Sequence, residues 1–128
     1  MGQIWKAAAA GVVLLAAGPA LAHHSGAMFD RAKVTVLKGT VKEYQFTQPH
    51  TWIELMAPDD TGAVAQWSIE AENPPAMNKI GLTRSVLNAG DMVTVRIHPL
   101  RDGRHGGSYI DLTTADGKVL SANHAAGE

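Results

Sequence analysis

The chain has 128 residues, a formal charge of −1 and no cysteine, which is enough for one domain. A near-neutral balance without a basic stripe gives little support to general nucleic-acid binding, which depends on neutralising phosphates. Without cysteine there are no disulfides, no thiolate zinc site and no c-type haem attachment, so the core must hold the fold unaided.

Residues 1–22 read as a secretory signal. Lys6 supplies the positive start, and Ala7 to Ala17 form an apolar run of mainly alanine, valine and leucine. Gly18-Pro19 breaks the run, and Ala20-Leu21-Ala22 has the small-x-small cleavage pattern. The run is shorter than the roughly 20 residues a membrane span needs. The expectation is therefore a periplasmic or secreted protein that starts at His23 and has no membrane span after cleavage. Residues 23–32 form an arm whose only large apolar side chains are Met28 and Phe29.

Strand patterning begins at Lys33 and runs to Phe46, rich in β-branched and aromatic residues. Leu37, Gly39 and Val41 share one parity, and Tyr44 and Phe46 the other. A bulge near Lys42-Glu43 would return both sets to one face, and Gly39 marks a sharp bend. Pro49, which cannot donate to a ladder, ends this strand. The second strand runs from Thr51 to Met56, with Ile53 and Leu55 on one face and Trp52, Glu54 and Met56 on the other. Pro58 to Gly62 is a turn. The third strand, from about Ala63 to Ala71, alternates Ala65, Trp67 and Ile69 with Gln66, Ser68 and Glu70, so Trp67 is expected inside.

Asn73-Pro74-Pro75 opens a short helix, with Asn73 as cap and Gly81 as stop. Arg84 to Leu87 is a second brief turn, and Glu70 is expected to pair with Arg84. The fourth strand, Met92 to Leu100, puts Val93, Val95 and Ile97 on one face. A loop from Arg101 to Gly107 follows, whose glycines argue for mobility. The fifth strand is Ser108 to Thr114, and Asp116-Gly117 turns the chain into Lys118-Val119-Leu120. The organisation expected is signal 1–22, arm 23–32, domain 33–120 and flexible tail 121–128. Five strands with one short helix between the third and fourth match an all-β, five-stranded OB-like Greek-key barrel. A β-sandwich would want about seven strands.

These motifs resemble a family of small exported bacterial proteins known only as a domain of unknown function. The shared pieces are Ala22-His23-His24-Ser25, Gly39-Thr40-Val41, Pro49-His50-Thr51-Trp52-Ile53, Trp67-Ser68-Ile69-Glu70, Gly81-Leu82-Thr83-Arg84, and Leu87 with Gly90-Asp91. Gln48 stands where the family usually has asparagine, and Leu82 where it often has tryptophan. The resemblance implies an exported barrel and no particular activity.

The candidate chemistry lies with the histidines. A chain starting at His23 offers an α-amine and an imidazole from one residue, and the amine titrates near 7.7–8.0. His24 adds a second imidazole, and His50 completes a metal site if the arm folds back. Nitrogen ligands of this kind suit copper(II), nickel(II) and zinc(II), and copper is the sharpest version. The arm reaches at most about 33–36 Å, which is ample. The alternative is a solvated terminus with His50 serving the turn.

In OB-type barrels the first and last inter-strand loops flank the binding face. Trp52, Arg101, Arg104 and His105 are therefore the expected ligand contacts, bordering one cleft with His50. Ser25, Ser68 and Ser85 lie in no nucleophile motif, and no glycine-rich phosphate loop precedes a helix. The reading is a non-enzymatic binding protein. Its alternative is an interaction module for a cell-envelope protein or small ligand, with nucleic acid as partner in neither.

Overall fold

A computed structural model describes the chain continuously over residues 26–122. The expected signal, His23, His24 and residues 123–128 lie outside the described residues. A 3-10 turn, Gly26–Met28, is followed by strands β1 (Thr35–Gln45), β2 (Trp52–Pro58) and β3 (Val64–Glu70). Helix α1 (Pro74–Lys79) leads to β4 (Met92–Pro99), β5 (Gly106–Thr113) and the short β6 (Val119–Ser121). β6 thus reaches Ser121, the first residue of the expected tail, and Ser121 is buried.

The sheet order is β3-β2-β1-β4-β5-β6, and a parallel β3–β5 pairing closes the ring. This is the five-stranded OB-like barrel, with β6 added against β5. β1 serves both halves of it. Thr35–Thr40 pair with β4 and Thr40–Gln45 with β2, the register slipping between Val41 and Glu43. That slip is the expected bulge. It lets Leu37, Val41 and Phe46 bury together while Tyr44 packs against the same cluster.

Gly39 allows the bend because a Cβ there would lie 2.1 Å from the Met56 carbonyl oxygen. Gly106 and Gly107, expected in a mobile loop, belong to β5 and are buried. A Cβ on Gly107 would lie 2.3 Å from the His98 carbonyl oxygen, so close strand contact accounts for the glycine.

The interior contains Ile53, Leu55, Ile69, Val95, Ile97 and Leu112, all fully buried, with Trp67 beside them. The α1 region plugs one end through Met77, Leu82 and Leu87. Asn73 caps the helix, its Oδ1 accepting from the Ala76 N–H at 3.0 Å. Gly81, at φ +88°, ends it. Residues 84–85 form a turn, with the Val86 N–H donating to Thr83 O.

The arm is stitched to the barrel. Phe29 bridges Leu100, the Asp30 N–H donates to Pro99 O at 2.8 Å, and the Arg101 N–H donates to Met28 O at 2.9 Å. Among the described residues, no helix is long and apolar enough to cross a membrane.

Candidate functional site

The β1–β2 loop is held by main-chain pairing that continues beyond the strands. Trp52 faces Glu70 in the β2–β3 register. One step further, the Thr51 N–H donates to Glu72 O at 3.1 Å and Thr51 O accepts from the Ala71 N–H at 2.8 Å. Thr51 is fully buried, and the Gln48–Pro49 peptide is cis. The two Thr51 main-chain bonds set His50 beside the end of β3, where its Nδ1 is bonded to Glu70 Oε1.

The imidazole is 34% exposed and the Glu70 side chain 9%, so a buried carboxylate orients a partly accessible ring. Burying a carboxylate is costly unless it is paired and hydrogen-bonded, and His50 meets part of that need. The expected Glu70–Arg84 pair is replaced. Arg84 lies over the Phe46 ring instead, 5.2 Å from its centroid.

His50 and Glu70 line a cavity of about 300 Å³ together with Glu72, Met77 and Tyr109. Gly26 and Arg31 of the arm line it too. Burial pushes the Tyr109 phenol above its ordinary value, with the charge of Asp111 adding to the effect. Its hydroxyl donates to Leu120 O at 2.6 Å.

The outer face of β2–β3 is polar and carries a chain of side-chain hydrogen bonds. The Ser68 hydroxyl bonds the Glu54 carboxylate at 2.7 Å, Gln66 donates to Glu54 at 3.0 Å, and Lys42 donates to Gln66 at 2.6 Å. At the end nearest His50, Trp52 opens onto a second cavity of about 270 Å³. Met28, Phe29, Leu100, Glu70 and Arg104 also line it. The two cavities share Phe29 and Glu70.

The expected ligand contacts therefore divide. Trp52 and Arg104 share a cavity. Arg101 and His105 line a different one, of about 460 Å³, with Lys33, Asp59 and Trp67. Arg104 borders both. Arg101 is largely occupied with the arm, donating to Ala27 O at 3.0 Å. His105 packs on Trp67 at 4.8 Å between ring centroids, with Nε2 3.8 Å from Asp59 Oδ2. The Asp59 carboxyl is held below its usual range by the Thr61 hydroxyl and then the Thr61 N–H, with a smaller contribution from His105.

Among the expected metal ligands, His50 is described, and His23 and His24 lie outside the described residues. No group of three or more His, Asp or Glu side chains among the described residues is arranged to hold a metal ion. Glu70 is the site residue that sequence reasoning missed. The β2–β3 hairpin could have revealed it, because the turn at Asp59–Gly62 sets a register in which Trp52 faces Glu70.

Residues 10–109 match the model of a family of unknown function, DUF6152. No curated protein matches the chain. Among solved structures, the mitochondrial single-stranded DNA binding protein Rim1 of S. cerevisiae is similar at 14% identity with a TM-score of 0.49. The likeness covers 65% of this chain and 93% of that one.

Proposed function

This chain belongs to DUF6152, a family of unknown function, and we propose that it is an exported, non-enzymatic binding protein for a divalent metal, copper above others. The ion would lie between His50 and the histidines of a processed amino terminus. One observation carries this reading: Gly26, where the described arm begins, lines the same cavity as His50. Gly26 stands three positions after His23, a span of at most about 10 Å. That length of chain lets the α-amine and the imidazoles of His23 and His24 reach the cavity that His50 lines.

The bond to Glu70 supports a ligand role. With Nδ1–H donated to the carboxylate, a neutral ring carries its lone pair on Nε2, and the carboxylate strengthens that nitrogen as a donor. Amine and imidazole ligands without thiolate favour copper(II) over the other first-row divalent ions. The near-neutral charge of the chain supports a partner other than nucleic acid, because phosphates seek cations.

The test is copper(II) titration of protein beginning at His23, followed by native mass spectrometry and calorimetry. One ion per chain is expected. His50→Ala, or one extra residue before His23, removes a direct ligand and is expected to weaken binding by more than the roughly tenfold to hundredfold that loss of an outer-shell partner costs. Equal affinity in all three proteins would remove the reading.

A further inference from the structure

Among the described residues, the cavity beside Trp52 is lined by none of the proposed metal ligands, and we propose that it binds a small aromatic carboxylate, a single flat ring bearing one acidic group. Its volume of about 270 Å³ suits one substituted ring, since ligand cavities of several hundred cubic ångströms take whole drug-sized molecules. Its lining is mainly apolar. Met28 and Phe29 come from the arm, Leu100 from the β4–β5 connection, and Trp52 from β2. An indole face recognises a flat ring by offset stacking or edge contact.

These walls are fixed in advance. The Phe29–Leu100 bridge, the Asp30 N–H to Pro99 O bond and the Arg101 N–H to Met28 O bond tie the arm to the barrel. Trp52 itself sits within the β2–β3 ladder. A preformed cavity spares the ordering cost that binding would otherwise incur.

The charge of the ligand follows from Arg104. Its side chain is 69% exposed and gives Nε to Asp102 at 2.7 Å. Its terminal amino groups make no hydrogen bond among the described residues. A guanidinium fork matches a carboxylate in shape and charge. The other charged wall, Glu70, is bonded to His50, so the acidic group belongs at the Arg104 end. The competing possibility, a cationic amine drawn to Glu70, has opposite charge and is separated by experiment.

Mature protein in excess chelator is titrated calorimetrically with phenylacetate, phenethylamine and cyclohexylacetate, which keeps the result independent of copper. Phenylacetate is expected to bind once per chain and to alter tryptophan emission, with the other two clearly weaker. Arg104→Gln is expected to weaken phenylacetate about tenfold or more, as the loss of a charged hydrogen bond implies, and to abolish the preference for acid over amine. Trp52→Leu removes the ring preference. Because Arg104 is on an exposed loop, its variant keeps the test valid if the Trp52 variant fails to fold. Phenethylamine binding as well as phenylacetate, no saturable binding of any probe, or an unchanged Arg104→Gln protein would each overturn the proposal.

Discussion

Glu70 at the end of β3 and His50 in the β1–β2 loop are bonded through Oε1 and Nδ1 across 20 residues of sequence. The bond depends on the β2–β3 ladder, which continues through Thr51 and so sets His50 beside the strand end. Glu70→Gln keeps the size and an acceptor oxygen but removes the charge. Copper affinity is expected to fall about tenfold to a hundredfold, the range typical of outer-shell carboxylates. The copper(II) electron paramagnetic resonance spectrum should change with it. Identical affinity and spectrum in wild type and variant would confine Glu70 to a structural role.

Thr51 provides a stability test beside the same site. Its hydroxyl is buried and has no hydrogen-bond partner among the described residues. An unmade buried hydrogen bond costs about 1–3 kcal/mol. Thr51→Val keeps the branched shape, and the Thr51 main-chain bonds to Ala71 and Glu72 need no side chain. The variant is expected to be more stable by about 1 kcal/mol, read as a higher urea midpoint with an unchanged slope. A destabilised variant would mean that the hydroxyl is satisfied in solution.

Local residue chemistry made most of the barrel legible. Strict alternation in β2, β3 and β4 assigned Ile53, Leu55, Trp67, Ile69, Val93, Val95 and Ile97 to the interior, and all seven are buried. The broken alternation of β1 located its bulge, because two apolar sets of opposite parity cannot otherwise share a core. Gly106 and Gly107 were misread because a glycine selected for close backbone approach looks like a loop glycine in one dimension; the neighbouring Ser68 and His98 carbonyls come from other strands. The Glu70–His50 pair was missed for a related reason. Charge complementarity suggested Arg84 as partner, while the hairpin register that decides the matter requires the turn and both strands together.

Gly39 tests the bend of β1. Its missing side chain admits the Met56 carbonyl, and a Cβ would also lie 2.9 Å from the Ala57 Cβ. The obstacle is strand backbone that closes the barrel, so it has little room to yield. Gly39→Ala is expected to cost about 1–3 kcal/mol or more, as overpacking does. Each kcal/mol lowers the melting temperature of a domain this size by about 4–8 °C. A thermal melt followed by circular dichroism gives the answer, and an unshifted melt would show that β1 can bend without the close contact.

The two inward-packed tyrosines set an alkaline limit on the fold. Burial pushes the Tyr44 phenol up to about 12, against the opposing charge of Arg84. Burial and then the charge of Asp111 raise Tyr109 further. A phenol is neutral when protonated, so the folded state holds these protons more tightly than the unfolded chain, whose phenols titrate near 10. The resulting stability is complete below about pH 10 and is lost as the pH rises from there through the folded values, by at most about 1.4 kcal/mol per pH unit for each proton. Urea midpoints are therefore expected to be level near neutrality and to fall steeply above about pH 10. Tyr109→Phe loses the hydrogen bond to Leu120 O and should be weaker by about 0.5–1.5 kcal/mol at pH 7. It also removes one titrating group, so its alkaline decline is shallower and the two curves converge as the pH rises. Parallel curves for wild type and variant would show that Tyr109 is not a source of the alkaline sensitivity.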